Sequence, residues 1–302
     1  MTVSTCNTNN DNGKFPSPCP PSVPAAAIMG LGVWTPDFPG LSAWMSRTPT
    51  TPPAHPRGAL VPPMLRRRIS PLTAAMMDAL AEASAEADLA GCAAVFASAH
   101  GETSVLGALL EQLTAAPPAL SPIAFASSVH NTASGLLSIA THNRGLSTSL
   151  AAGHDTVAAG FIEALGILHD GATDVLVVAG DLAEPDRLVC PDERASLMAV
   201  VFHLRALHAL TDTEVDDVST QPDSPRLMGH DGPQPLALLT WPVRDLTISP
   251  PTLGIKEDLA RSPCVGALNL ADAVTRRSCG PVRLDGGAGD AWCTTLSFPR
   301  PR

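Results

Sequence analysis

The stretch "RGLSTSLAAGHDTVAAGFIEALGILHDGATDVLVVAGD", residues 144–181, decides the fold class of this chain. Its pattern predicts a strand over 147–152, a sharp turn, a buried helix that ends before Gly171, and a second strand over 174–180. A strand, a helix and a second strand in this order are the repeating unit of a parallel sheet covered by helices. One residue raises a question, because His154 stands where the turn enters the helix.

The residues before this stretch also alternate between strand and helix patterns. Strands are predicted at 28–34 and 92–99, and helices at about 70–88, 103–116 and 132–142. Ser70 can cap the first of these helices, and Pro71 suits its first turn. The proline-rich residues 48–65 predict an extended surface loop, since proline interrupts helices and inner strands.

Beyond Asp181 the pattern is weaker. It predicts a helix at 195–210, a strand at 235–241 and a possible edge strand at 291–298. Together with the earlier alternation, this indicates an α/β fold with a mostly parallel sheet.

Composition limits the function classes that the chain can belong to. The chain has 302 residues, of which 16% are charged, whereas about 25% is usual for a globular domain. Much of its surface is therefore expected to be neutral or to meet another protein. The net charge of −10 argues against a general nucleic-acid binder and against an anionic-membrane binder.

Cysteine usage and the terminal sequence indicate the compartment. The seven cysteines form no C-x-x-C pair, which argues against a disulfide framework or a zinc ribbon and favours a reducing compartment. The first residues lack the pattern of a signal peptide, and no apolar run reaches the ~20 residues of a membrane span. We therefore expect a cytoplasmic protein. No metal or cofactor motif is present, so neither a metal nor a cofactor is expected.

Three segments of the chain resemble a known family. "NTASGLLSI" (131–139), "RGLSTSLAA" (144–152) and "DGATDVLVVAG" (170–180) resemble the first half of β-ketoacyl synthases of the thiolase superfamily, including their chain length factor type subunits. Upstream, "AAVFASAHGE" and "SPIAFASSVHN" are similar to short stand-alone β-ketoacyl synthase-like proteins found beside aryl polyene and related fatty-acid-like pathways.

This resemblance implies a fold and a division of the chain. The fold implied is a thiolase-like layered α/β/α arrangement, mainly one half of the ketosynthase fold. A disordered tail is expected at 1–26, where polar residues and proline leave little to bury. The β-ketoacyl synthase-like domain is expected at 27–245. The remainder, 246–302, is an extension, for which a remnant of the second thiolase repeat is one interpretation.

The resemblance also gives His154 a meaning. In such synthases the strand before the central helix ends in an Ala-Cys pair, and the cysteine carries the acyl chain at the helix N-terminus. The ungapped match places His154 at the cysteine position. An acyl-imidazole hydrolyses readily, so condensation through His154 is not expected. His154 is expected to be a capping or packing residue that replaced a lost nucleophile, and Asp155 beside it is expected to cap the helix.

The second half of a ketosynthase supplies two histidines and a lysine, and this chain offers few counterparts. Residues of these types beyond 182 are limited to His203, His208, His230 and Lys256. None lies in a segment that matches the family motifs, so the catalytic set is expected to be incomplete.

Further candidates have both a plain and a functional interpretation. His130 and Asn131 resemble an orienting pair of thiol hydrolases, although hydrogen bonding at a helix start explains them as well. His100 ends a buried strand, where ligands of parallel sheets bind, but a polar residue at a turn is the plainer interpretation. Candidates for acyl contact are His100, Gly153 and Phe161. Candidates for contact with an acyl carrier protein are Arg66, Arg67 and Arg68, which otherwise form a solvated helix start.

The predicted function is that of a degenerate, non-condensing, chain length factor-like partner of an active ketosynthase. It would act with acyl carrier protein in aryl polyene, polyketide or fatty-acid-like biosynthesis, with no nucleic acid and no membrane span. Two alternatives stay open. One is an acyl-thioester hydrolase or transferase that uses His154, Asp155 or His130. The other is a stand-alone pseudo-enzyme that binds acyl carrier protein.

Overall fold

A computed structural model describes most of the chain. The described residues are 23–85, 87–115, 120–182, 195–210, 234–245, 247–249, 251, 253–285 and 291–299. Residues 1–22 of the predicted tail lie outside these ranges, and Ala26, the last residue of that tail, already belongs to the first strand.

The described residues form nine strands and nine α-helices. The strands are β1 (Ala26–Trp34), β2 (Ala93–Ala97), β3 (Ser147–Leu150), β4 (Asp174–Asp181), β5 (Met198–Ala206), β6 (Ala237–Leu239), β7 (Val243–Arg244), β8 (Gly280–Arg283) and β9 (Trp292–Ser297). The helices are α1 (Leu41–Ser46), α2 (Pro63–Arg66), α3 (Pro71–Ala83), α4 (Thr103–Thr114), α5 (Pro122–Ala126), α6 (Thr132–Thr141), α7 (Thr156–His169), α8 (Glu257–Ala260) and α9 (Val265–Thr275). The strands and helices predicted before Asp181 are confirmed; β1 and β4 extend beyond the predicted ranges, and the other predicted elements are shorter.

The start of α3 and the end of α7 follow from their capping residues. Ser70 accepts a hydrogen bond from the backbone N–H of Thr73, and Pro71 is the first residue of α3, as predicted. After α7 the chain turns at Gly171, whose φ of 110° is a conformation that favours glycine.

All the strands belong to one mixed sheet. The order is β3-β2-β4-β5-β1-β6-β9-β7, and β8 also pairs with β9. Only β3, β2 and β4 are parallel to one another, while the other described pairings are antiparallel. The expectation of a mostly parallel sheet is therefore wrong. That expectation included a helix at 195–210, which would have connected two further parallel strands.

The predicted helix at 195–210 is in fact strand β5. Its residues alternate between two cores, because Val200 and Phe202 pack on one face of the sheet while Ala199 and Val201 pack on the other. Both faces are buried, so the sequence shows no alternation of polar and apolar residues. The long apolar run then matches a buried helix as well as a strand, and length alone favoured the helix.

Helices cover both faces of this sheet. Along β4, Val175 and Val177 belong to the core shared with α7 and α9, whereas Leu176 and Val178 belong to the core shared with α3 and α6. This alternation places the sheet between two helical layers, and the expected α/β/α arrangement is confirmed.

The C-terminal residues contribute to the same sheet and core. Residues 265–274 of α9 are buried throughout, and Gly266 lies so close to the backbone of Leu284 that a Cβ there would be 1.9 Å from its carbonyl oxygen. Strand β9 is an inner strand, since β8 pairs on one side of it and β6 on the other. The prediction of an edge strand at 291–298 is therefore wrong. A second-repeat origin for 246–302 stays a prediction. Within the described ranges, no helix is long and apolar enough to cross a membrane.

Candidate functional site

The carboxyl ends of the three parallel strands meet at one edge of the sheet. The backbone N–H of Ser98, just after β2, donates to the carbonyl of Leu150 at the end of β3 over 3.2 Å. Asp181 is the last residue of β4, between β2 and β5. Because ligands of such sheets bind beyond the carboxyl ends of the strands, this edge is the candidate site. His100 and His154 both follow strands that end here.

The turn that carries His154 is held by a residue that the sequence did not indicate. Gly153 has a φ of 57° and opens a 3₁₀ turn that ends at Asp155. Thr156 fixes the turn, because its Oγ1 donates to the carbonyl of Gly153 (2.7 Å) and accepts from the N–H of Ala152 (2.9 Å). The side chain of His154 is exposed.

The expectation that Asp155 caps helix α7 is wrong. Its side chain makes no capping hydrogen bond, and its Oδ1 is buried without a hydrogen-bond partner among the described residues. The physical reason is the 3₁₀ turn, which gives Asp155 a φ of −91° and a ψ of 4° rather than the extended conformation of a capping residue. Thr156 instead binds the backbone groups at the entry of the helix.

A buried carboxylate lies at the centre of the site. Asp181 is 0% exposed. Its Oδ1 accepts from Ser98 Oγ (2.6 Å) and from the N–H of His100 (3.0 Å), and its Oδ2 accepts from the N–H of Ala99 (3.0 Å) and from Cys264 Sγ (3.1 Å). His100 Nδ1 is 3.9 Å from Asp181 Oδ1. The loop after β2 is therefore wrapped around this carboxylate.

His130 closes the other side of the same loop. Its Nε2 lies 2.8 Å from the carbonyl oxygen of Ser98. Gly101 sits so close to it that a Cβ at that position would lie 2.7 Å from His130 Cδ2. His130 and His100 are thus brought together around one loop. Asn131 is exposed and makes no side-chain capping bond to α6.

Glu102 connects this loop to helix α3. It is 4% exposed, and its Oε1 accepts from Ser70 Oγ (2.8 Å) and Thr73 Oγ1 (2.6 Å). Burial raises the pKa of the Glu102 carboxyl, although the hydrogen bonds from Thr73 and Ser70 and the charge of His130 act in the opposite direction.

The buried thiols of the described residues are not activated. Burial, and then the nearby Asp181 charge, raise the pKa of Cys264 well above its ordinary value. Burial likewise raises the pKa of Cys92 to about 12 and that of Cys293 to about 11. A thiolate is the nucleophilic form of cysteine, so none of these three thiols is a ready nucleophile at neutral pH.

The remaining candidates lie in different surroundings. Phe161 is fully buried in the core and packs edge-on against Phe202, with ring centroids 5.3 Å apart. Arg66 donates through Nε to the carbonyl of Val61 and through Nη2 to that of Ala59. Its neighbours in sequence are exposed, namely Arg67 and Arg68.

Beyond residue 182, the two described histidines do not lie at this edge, and the lysine is paired with an aspartate that follows β1. His203 is fully buried in β5, and its Nε2 lies 2.6 Å from Asp174 at the start of β4, which is the opposite end of that strand. Lys256 forms an ion pair with Asp37 over 2.9 Å. His208 is exposed in a 3₁₀ turn after β5, and His230 lies outside the described residues.

Two cavities are found among the described residues. One, of about 540 Å³, is lined by residues at the amino ends of β2 and β4, including Cys92 and Asp174. The other, of about 670 Å³, lies beside Trp34 at the end of β1, under the proline-rich loop. Neither is lined by His154, His100 or His130.

Comparisons with known proteins agree with this architecture. The sequence model of the family described as "Beta-ketoacyl synthase, N-terminal domain" matches residues 42–245, which is more than half of the chain. A search of curated proteins gave no match.

Several solved structures resemble the fold. A chain of the ketosynthase (ApeO) in complex with its chain length factor (ApeC) from Xenorhabdus doucetiae has a TM-score of 0.61 at 20% identity, covering 90% of this chain and 98% of that chain. The ishigamide ketosynthase/chain length factor gives 0.62 at 13% identity, covering 91% and 99%. The type II polyketide synthase complex AntDE:AntF gives 0.64 at 11% identity, covering 91% and 99%. At these identities the likeness concerns the fold.

Proposed function

Because the chain belongs to the β-ketoacyl synthase family, whose N-terminal-domain model matches residues 42–245, we propose that it is a non-condensing, chain length factor-like subunit. In this role it pairs with an active ketosynthase and helps to shape the space for an acyl chain held by acyl carrier protein. The proposal is carried by an exposed apolar surface on helices α4 and α5 and by exposed apolar residues at the last strand of the sheet.

Helices α4 and α5 form the main part of this surface. Helix α4 buries only Leu109, while Leu106, Leu110 and Leu113 are 45–50% exposed and recur at helical spacing on one side. In α5, Ile123 and Phe125 are 53% and 63% exposed. We call these five exposed residues the apolar face. Monomeric proteins rarely leave a contiguous surface of this kind uncovered, so a partner protein is expected there.

The edge of the sheet adds further exposed apolar residues. Strand β3 is the last strand of the described sheet and pairs only with β2. Exposed apolar residues flank it on both sides, since Ile139 belongs to α6 in one helical layer and Ile162 belongs to α7 in the other, and Leu146 directly precedes β3. An open strand between two apolar helices fits a partner with the same three layers.

The absence of condensation is supported by His154. The sequence resemblance implies that this residue stands where active synthases have their cysteine, and its side chain is exposed in the turn before α7. Buried thiols of the described residues, such as Cys264, keep their proton because their pKa is raised. The role proposed for this chain is therefore architectural, and the partner supplies the nucleophile.

Carrier protein contact is the second part of the proposal. Acyl carrier proteins present acidic surfaces, and exposed arginines bind carboxylates and phosphates well. Arg67 and Arg68 suit this contact, while Arg66 already donates to backbone carbonyls. Cysteine usage supports a cytoplasmic location. The product class is proposed to be an aryl polyene, a polyketide or a fatty-acid-like chain.

Co-purification tests the proposal. A tagged ketosynthase encoded near this chain is co-expressed with the parent chain, with Leu110→Glu in the apolar face, and with Val243→Glu. Val243 is also exposed, at 55%, but it lies in β7 at the other end of the sheet, so it is a matched control. We expect the parent and Val243→Glu to co-purify with the ketosynthase and Leu110→Glu to be lost.

Two results would contradict this function. One is equal retention of both glutamate variants, which would show that the apolar face is not the contact. The other is turnover of an acyl thioester by the isolated chain that disappears in His154→Ala, because such an activity would make the chain a hydrolase or transferase rather than an architectural subunit.

A further inference from the structure

Among the described residues, no lysine or arginine forms an ion pair with the buried carboxylate of Asp181, and Nδ1 of His100 lies 3.9 Å from its Oδ1. Four donors surround the carboxylate instead: two backbone N–H groups, one hydroxyl and one thiol. Burial of a charge is costly unless hydrogen bonds compensate it. The oxygens of an ionised carboxylate can only accept hydrogen bonds. Four converging donors therefore make this pocket specific for an anion.

Three of these donors belong to one short loop. Ser98 Oγ donates to Asp181 and accepts from the N–H of Gly101 over 2.9 Å, and the N–H groups of Ala99 and His100 complete the loop's contacts with the carboxylate. The loop conformation that carries the His100 side chain is therefore defined by the position of the Asp181 carboxylate.

The same loop defines the position of His130. The carbonyl of Ser98 can only accept, so the proton on the His130 ring that faces it is on Nε2. This bond fixes one ring nitrogen and the ring plane of His130. A change at Asp181 that moves Ser98 consequently moves the acceptor of His130 as well.

The fourth donor comes from the C-terminal part of the chain. Cys264 directly precedes α9 and lies 83 residues beyond Asp181 in sequence, outside the segment that the family model matches. Because burial and the Asp181 charge raise the pKa of this thiol, it keeps its proton and acts as a donor. The C-terminal extension thereby completes the pocket around Asp181.

We propose that Asp181 is the positioning residue of the site: its buried carboxylate, completed by the Cys264 thiol, holds the Ser98–Gly101 loop and through it orients His100 and His130. Hydrogen bonds connect Cys264 of the C-terminal extension to Asp181, Asp181 to Ser98, and Ser98 to His130 at the edge of the sheet. The proposal does not depend on a ketosynthase partner, so its failure is distinct from a failure of the proposed function.

Chemical rescue tests the proposal. The full chain with ¹⁵N-labelled histidine rings is compared with Asp181→Ala, with the signals of His100 and His130 assigned through His100→Gln and His130→Gln. In Asp181→Ala we expect both signals to shift. Added formate, a small carboxylate, is expected to restore them in a saturable manner, and chloride at equal ionic strength is not.

Asp78→Ala is the matched control. Asp78 also holds a loop by accepting two backbone N–H groups, from Arg57 and Ala59, each at 2.6 Å, but it lies outside the site. We expect Asp78→Ala to lower the melting temperature without moving the signals of His100 and His130. The proposal is overturned if Asp181→Ala leaves both signals in place, or if formate raises its melting temperature without restoring them.

If Asp181→Ala does not fold, variants of the fourth donor decide the matter. Cys264→Ala removes a donor, whereas Cys264→Ser keeps one. We expect Cys264→Ala to shift the His100 signal in part and Cys264→Ser to return it toward the parent position. Unchanged signals in a folded Cys264→Ala would overturn the coupling between the extension and the imidazoles.

Discussion

Glu102 is buried at the start of α4, and only one of its oxygens has a hydrogen-bond partner among the described residues. Oε1 binds two hydroxyl groups, while Oε2 is buried without a partner. Burial, the largest effect, raises the pKa of this carboxyl. The native state therefore holds the Glu102 proton more tightly than the unfolded state does, and its contribution to stability falls as the pH rises from the unfolded pKa through the native one.

The variant Glu102→Gln tests the direction of this pH dependence of stability. The amide keeps an acceptor for Ser70 and Thr73 but carries no charge, so its free energy of unfolding should lack this fall with pH. We expect the stability of the variant relative to the parent to increase between acidic and neutral pH, as measured by urea unfolding at several pH values. Glu102→Ala, which leaves both hydroxyls without their acceptor, should cost about 1–3 kcal/mol. A constant difference between parent and Glu102→Gln at every pH would contradict the account.

Thr156 gives a second prediction at the residue scale. Thr156→Val keeps the shape of the side chain but removes the hydroxyl that binds Gly153 and Ala152, so we expect a loss of about 1 kcal/mol in the free energy of unfolding. Thr156→Ser keeps the hydroxyl and should lose less. Thermal unfolding followed by circular dichroism compares the two, and a serine variant less stable than the valine variant would contradict the assigned cap.

Sequence patterns located part of this site but not its centre. His100 and His154 were found because they follow predicted strands, and the structure places both strands' carboxyl ends at one edge. Asp181 and Cys264 were missed, since each of their key bonds joins residues 83 positions apart. Local periodicity contains no information on such contacts. The predicted cap at Asp155 failed for a related reason, because the turn geometry is set by Gly153.

At the scale of the elements, helix α7 packs closely because of its small residues. Gly160 is buried, and a Cβ there would lie 3.0 Å from the Cβ of Ala97 in β2. Gly166 in the same helix is exposed, and a Cβ at that position would meet no atom within 4 Å. The two glycines are thus a matched pair for the packing of this helix against the sheet.

Leucine at the two positions should have opposite effects. Gly160→Leu overpacks the contact with β2, and we expect it to cost about 1–3 kcal/mol. Gly166→Leu gains helix propensity at an open position, and we expect stabilisation of up to about 1 kcal/mol. Urea unfolding measures both. If Gly160→Leu unfolds like the parent, the position of α7 against β2 is wrong.

The elements of the first 181 residues were predictable, whereas those beyond were less so. Strands β2 and β4 are short apolar runs that each follow a clear helical pattern, so their type follows from length and pattern. Strand β5 is as apolar as they are and, like β4, buried on both faces, but the apolar run that contains it, 195–210, is long enough for a helix. Only its antiparallel pairing with β4 and β1 identifies it, and that pairing is a tertiary property.

At the scale of the whole molecule, a low charge content and an apolar face point to the same conclusion. Only 16% of the residues are charged, which indicated a surface that meets another protein. The structure locates exposed apolar residues on α4 and α5, and others around the open strand β3, such as Leu146. Composition predicted that such a surface exists, but its position depends on which strand ends the sheet, and pattern alone does not give strand order.

The measurement that tests the central claim most directly is the mass of the complex formed with a ketosynthase. The chain is co-expressed with the ketosynthase encoded nearest to it, and the product is analysed by size exclusion with light scattering. The account predicts a complex that contains one copy of each chain and that is lost in Leu110→Glu. A monomer or a homodimer of this chain, with the ketosynthase eluting separately, would contradict it.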